Sequence, residues 1–307
     1  MRLFIALLIS VSACTAAQAQ ELSPYMHARL FAPTARVELV NRVVRVPMRG
    51  TDHTGAGKCP YFQVYVNGRG PFTFLFDTGA SYSVVSSKVA AAAGATVLIH
   101  RIRRDVVTLG ELRLGGITLH DVVAIEDDNW GVDGIIGFAT LGDLNVLFDL
   151  SRRELRASKS PIPMRRSFSV GYDAVFNVPT VPVQIGGRTV PLLLDTGDDA
   201  FGLELRSPEL GDAALEGPPV AGPAVVNGAT AQQTRRAVLK DPVKLGPVEA
   251  VHAPIAINDD LPVGDFGVAV LKQFRFQIEP GRHRVEFEPL FEGGRFDTDW
   301  PPVSPRT

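Results

Sequence analysis

Val64 to Gly79 reads VYVNGRGPFTFLFDTG, and Val181 to Gly197 reads VPVQIGGRTVPLLLDTG. Each stretch is a β-like run, a two-residue turn and a second β-like run. The turns are Asn67-Gly68 and Gly186-Gly187, dipeptides that accept the positive φ of a tight hairpin. Both second runs end in the same tripeptide, Asp77-Thr78-Gly79 and Asp195-Thr196-Gly197. The likeness continues downstream. Leu114-Gly115 matches Leu245-Gly246, and Ile136-Gly137-Phe138-Ala139-Thr140-Leu141 matches Phe266-Gly267-Val268-Ala269-Val270-Leu271. At the same offset, Leu144, Val146 and Phe148 match Phe274, Phe276 and Ile278. Those apolar residues alternate with period two, as in a strand with one buried face.

Two copies of a β-rich unit predict two lobes, over residues 37–156 and 175–290. Between them, 157–174 is rich in Pro, Ser and Arg and reads as a linker. The tail, 291–307, has little apolar periodicity and is expected to be mobile. With 29 Gly and 23 Pro among 307 residues, turns are frequent, which favours an all-β fold with only short helices. Ser86 to Ala93 is the best helix candidate, with Ser at its start and Gly94 just past its end.

Composition narrows the function classes. The formal net charge is −2 and no Lys/Arg run occurs, so a nucleic-acid partner is not expected. Residues 1–19 read as a signal peptide: Arg2 is the charged start, Leu3 to Val11 a short apolar run, and Ala17-Gln18-Ala19 a cleavage site. A periplasmic or secreted protein is the expectation. Val11-Ser12-Ala13-Cys14 also resembles a lipoprotein box, and membrane attachment is expected only if Cys14 is lipidated. Either route leaves Cys59 without an intramolecular partner, and it reads as a small residue near a strand start.

The doubled apolar-apolar-Asp-Thr-Gly motif in a duplicated β-rich chain resembles the pepsin-like and retropepsin-like aspartic proteases. Phe74-Leu75-Phe76-Asp77-Thr78-Gly79-Ala80-Ser81 fits the family pattern fully, and Asp133-Gly134-Ile135-Ile136-Gly137 and Phe266-Gly267 resemble the apolar-Gly elements that support its loops. The resemblance implies a bilobal, pseudo-twofold fold of two retropepsin-like β-barrel lobes. It implies Asp77 and Asp195 as a catalytic pair, with Thr78 and Thr196 locking the two loops together and Gly79 and Gly197 allowing close approach. Two adjacent carboxylates cannot both ionise, so one can serve as base and the other as acid; this family is the standard illustration of such a coupled pair. Substrate-binding candidates are Ala80, Ser81, Asp198, Asp199, Asn227 and Gly228. Asp199 stands where retroviral-type proteases carry an Asp that contacts substrate backbone. Asp198 replaces a small residue and reads either as a charge acting on the pair or as a solvated turn acid. Thr96 to Arg113 shows no clear hairpin tip for a flap, whereas Val225 to Thr230 does.

Other chemistries lack their signatures. There is no Gly-x-Ser-x-Gly elbow and no His-Glu-x-x-His helix, and Glu126 to Asn129 fails calcium-loop spacing because Val132 occupies the glycine position. No metal and no cofactor is expected. The reading is an aspartic endopeptidase acting as a monomer on peptide or protein substrates, with water activated between Asp77 and Asp195. The alternative is a non-catalytic bilobal peptide-binding protein of the cell envelope.

Overall fold

The computed structural model describes residues 35–49, 59–100, 104–175, 178–227 and 230–298. The signal-peptide residues, Cys14 and Gly228 lie outside them. The first half carries β1 (Arg36–Leu39), β2 (Val43–Pro47), β3 (Tyr61–Val66), β4 (Arg69–Asp77), β5 (Ser83–Val85), α1 (Ser87–Ala93), β6 (Thr96–Ile99), β7 (Val106–Leu114), β8 (Ile117–Glu126), β9 (Gly134–Gly137), β10 (Asn145–Asp149) and β11 (Glu154–Ser158). The second carries β12 (Phe168–Gly171), β13 (Asp173–Val175), β14 (Val178–Ile185), β15 (Arg188–Leu194), β16 (Leu203–Leu205), α2 (Ser207–Leu210), β17 (Val220–Asn227), β18 (Thr230–Leu239), β19 (Val243–Leu245), β20 (Val248–Ala250), β21 (Ala253–Ile257), β22 (Asp265–Phe266), α3 (Val268–Leu271), β23 (Phe274–Glu279) and β24 (Arg284–Pro289). The fold is all-β with short helices, as the repeat predicts.

In lobe one the strands run in the order β1-β8-β5-β9-β4-β3-β7-β6, and β8 also pairs with β7, which closes the sheet into a barrel. Lobe two repeats the order, with β18 and β19 standing for β7, and β20 and β21 for β8. The hairpins β3–β4 and β14–β15 turn at the predicted dipeptides; Asn67 and Gly68 have φ of 49° and 74°, Gly186 and Gly187 of 56° and 77°. The helix expected from Ser86 is α1. The Ser86 hydroxyl accepts from the Val89 amide at 3.3 Å, and Gly94 ends the helix at φ 64°.

The lobes share a third sheet, β12-β24-β23-β10-β11-β2, assembled from both halves. Its centre is the β10–β23 pair, where Val146 faces Ile278 and Phe148 faces Phe276. These are residues the repeat matches crosswise, so a pseudo-twofold axis passes between the two strands. On it the Phe148 and Phe276 rings stack at 5.0 Å, and Phe76 from β4 meets Phe148 edge-on at 5.1 Å. One apolar core thus runs from the third sheet to the strand that carries Asp77.

Three expectations are corrected. The linker holds a strand: β12 pairs with β24, and the amide of buried Ile162 donates to Gln277 at 2.7 Å. A Pro- and Arg-rich composition hid it, because a sheet edge tolerates both. The tail is docked as far as it is described: Phe296 is buried against Phe266 and Phe274, and Gln273 holds the Asp297 backbone. Lobe one does have a hairpin in the flap interval, β6 against β7. Six residues separate β6 from β7, with His100 and Asp105 linked at 3.1 Å, so no two-residue turn signal marks it.

Candidate active site

Asp77 ends β4, and Asp195 follows β15 directly. Each strand lies parallel to a short apolar-Gly strand, β4 to β9 and β15 to β22. The parallel pairing brings Gly137 beside Asp77, and the Asp195 amide donates to the Phe266 carbonyl at 3.0 Å. Apolar residues before each Asp are buried, which fixes the two loops on a dry base.

The threonines join the loops across the axis. The Thr78 amide donates to the Thr196 hydroxyl at 3.0 Å, and the Thr196 amide to the Thr78 hydroxyl at 3.1 Å. Each hydroxyl in turn donates to a carbonyl of the opposite lobe, Thr196 to Phe76 at 2.7 Å and Thr78 to Leu194. Both threonines are wholly buried, so each of these groups is satisfied only by its counterpart in the other lobe.

The carboxyl groups meet between the loops. The Gly79 and Ala80 amides donate to Asp77 Oδ1 at 2.7 and 3.0 Å, and the Gly197 amide to Asp195 Oδ1 at 2.7 Å. The two carboxyls are close enough to act on each other. A Cβ on Gly79 would stand 2.5 Å from Asp195 Oδ2, and one on Gly197 2.6 Å from Asp77 Cγ. Glycine is therefore required in both loops, because each backbone lies against the other lobe's carboxylate. Burial raises both carboxyls above the ordinary range; for Asp77 the Asp195 charge adds to it. The pair accordingly holds one proton into a pH range where free carboxyls are ionised.

The other predicted residues are placed as follows. Ala80 is half-buried, with its carbonyl accepting from Phe138 at 2.9 Å. Ser81 is buried. Asp199 is half-buried and acts on the Cys59 thiol. Asn227 ends β17, which with β18 forms the lobe-two hairpin. Asp198 is not a solvated turn acid. Its Oδ1 accepts from the Ala200 amide at 2.8 Å, while Oδ2 is buried and unpartnered.

Three residues at or under the site carry no motif. Cys59 is buried and donates to the Gly197 carbonyl at 3.4 Å. Burial, with the surrounding aspartates, pushes its thiol well up, so it is a prop for the second loop and not a nucleophile. Glu204 and Asp265 lie in strands beneath that loop. Asp265 occupies the repeat position held by Ile135 in lobe one, and this mismatch was the available signal.

A sequence profile described as aspartyl protease matches residues 62–140. No curated protein matches. Among solved structures, the EIAV protease complexed with the inhibitor HBY-793 is similar over 31% of this chain and 85% of that one, with 21% identity and a TM-score of 0.27. The profile covers the β4 loop, its Asp-Thr-Gly and the β9 support, and lobe two repeats each of these. Over residues 62–140 the chain is thus similar to aspartyl proteases.

Proposed function

We propose that this chain is an aspartic endopeptidase that hydrolyses peptide bonds with a water held between Asp77 and Asp195. The observation that carries the reading is the mutual contact of the two carboxyls, built by two loops of one chain and locked by reciprocal threonine bonds. The ionised carboxylate takes a proton from water as its oxygen attacks the scissile carbonyl carbon. The protonated partner gives its proton to the carbonyl oxygen. In the second step the carboxyl that took the water proton delivers it to the amide nitrogen, the partner carboxylate takes a proton back from a hydroxyl of the gem-diol, and the carbon–nitrogen bond breaks to give an acid and an amine. The hairpins β6–β7 and β17–β18 occupy the intervals where the family places its flaps, which favours substrate enclosure over mere peptide binding.

The pair is complete within one chain, so the active unit is a monomer. The signal-like N-terminus supports a periplasmic or secreted location. Purified mature protein incubated with casein across a pH series tests the central claim: cleavage with a bell-shaped profile is the expected outcome, and no cleavage at any pH would sink it.

A further inference from the structure

Beneath the second Asp-Thr-Gly loop lie three carboxylates, Asp198 in the loop, Glu204 on β16 and Asp265 on β22. One oxygen of each falls within 4.8 Å of the others. Glu204 and Asp265 are direct partners across the antiparallel β16–β22 pair. Their exposures are 4% and 3%, and Asp198 is half-buried. Asp265 Oδ1 and Asp198 Oδ2 are buried with no hydrogen-bond partner. The charges of Asp195, Glu209 and the group's own members act on the three, and all are carboxylates. A buried carboxylate is tolerable when it is paired, protonated or bound to a cation.

Lobe one shows what the same positions hold without such a need. The Ala80 carbonyl accepts from Phe138 at 2.9 Å as the Asp198 carbonyl accepts from Val268 at 2.8 Å, so Ala80 is the counterpart of Asp198. Val84 pairs with Ile135 as Glu204 pairs with Asp265. Three apolar residues in one lobe are thus three acids in the other, at matched places in the fold.

We propose that Asp198, Glu204 and Asp265 form a binding site for one divalent cation of calcium's size. The donors are all oxygen, which selects a hard cation. Calcium accepts flexible sites built from protein oxygens at roughly 2.3–2.6 Å, whereas magnesium dehydrates reluctantly and keeps several waters, which a buried site excludes. Three carboxylate oxygens within 4.8 Å of one another can all reach one such ion. Fully buried Asn258 donates to Glu204 Oε1 at 2.8 Å and orients it, the usual support for a metal-binding carboxylate. Partial exposure of Asp198 leaves an entry path. The ion would tie the Asp195 loop to β16 and β22. In lobe one that seating falls to apolar packing and to the Ser83 hydroxyl, which bonds Thr140 at 2.6 Å and accepts from the Gly137 amide at 3.1 Å.

The site stands apart from the proteolytic reading, and its test needs no activity. Chelator-treated full-length protein is titrated with calcium chloride by equilibrium dialysis and by thermal melting. One saturable site and a rising melting temperature are expected, with weaker binding of magnesium. Asp265→Asn, nearly isosteric, should lower calcium affinity by roughly tenfold or more, since affinity follows ligand charge. The lobe-one set Asp198→Ala, Glu204→Val and Asp265→Ile should remove calcium binding and, without calcium, melt no lower than the parent. Absence of saturable binding up to about 10 mM, beyond the weakest class of protein calcium sites, overturns the proposal. Affinity unchanged in Asp265→Asn overturns it too, and that variant decides the matter should the triple variant not fold. A preference for magnesium would overturn the assignment by size.

Discussion

Lobe one seats its Asp-Thr-Gly loop on Ala80, Val84 and Ile135; lobe two seats the equivalent loop on Asp198, Glu204 and Asp265. Above that level the lobes are nearly interchangeable. Asp77 and Asp195, Thr78 and Thr196, and Gly79 and Gly197 make matching contacts across the axis. Even the helix starts agree: the Ser87 amide donates to Asp128 at 2.9 Å and the Ser207 amide to Asp259 at 2.7 Å. The difference teaches where the symmetry is required. Groups that touch the other lobe must match, because each satisfies its own counterpart. Groups that only support their own loop are free to diverge, and these have diverged in charge.

The largest expected effect tests the symmetric part. Asp77→Asn and Asp195→Asn should each lower cleavage of casein by about 10⁴-fold, the upper end of what one acid–base group contributes. Mixing the two variants should restore nothing, because each chain builds its own pair. Recovery on mixing would show lobes pairing between chains, and near-normal activity in either variant would remove the dyad.

A smaller effect probes the asymmetric part. Ile135 is 1% exposed and has no compensating partner set. Ile135→Asp should therefore destabilise lobe one, by about 3–5 kcal/mol for an uncompensated buried charge. The reverse exchange in lobe two, Asp265→Ile, should leave the calcium-free protein no less stable. Urea unfolding of both variants measures this, and equal losses would mean that the acids of lobe two are as necessary to folding as the apolar residues of lobe one.

The threonine lock should respond evenly. Thr78→Val and Thr196→Val each strand a buried amide and carbonyl of the opposite lobe, at about 1–3 kcal/mol for an unsatisfied buried group. Unequal losses in thermal or urea unfolding would show that the lock is borne by one lobe.

Much of this arrangement was legible in the sequence because it is local. Hairpin turns, period-two strands and the two Asp-Thr-Gly ends each sit within a few consecutive residues, and the repeat register gave the β10–β23 match. The remainder depends on pairing between distant strands. Glu204 between two leucines and Asp265 beside Gly264 are each unremarked alone; only the β16–β22 pairing brings them together. Strand β12 escaped notice because four residues at a sheet edge need no apolar alternation, and the β6–β7 hairpin because its connection is too long for a turn dipeptide.

The smallest expected effect concerns how Asp77 titrates. Its carboxyl is raised well above the ordinary range, by burial first and by the Asp195 charge second. In the unfolded chain an aspartate titrates near 3.9. Between those two values the folded protein keeps a proton that the unfolded chain has released, so stability falls as pH rises. The contribution is fully present below the unfolded value and is lost as pH climbs through the folded one. Each unit of separation corresponds to about 1.4 kcal/mol, less whatever solvent at the half-exposed site screens. Asp77→Asn cannot ionise and lacks this loss. Its melting temperature relative to the parent should therefore increase steadily from about pH 4 toward neutrality, the interval that begins at the unfolded value. Calorimetry of both proteins in calcium-free buffer at matched ionic strength reads the difference directly. A gap that stays constant across that interval would mean that Asp77 ionises as an ordinary surface aspartate, and the shared proton of the dyad would have to be abandoned.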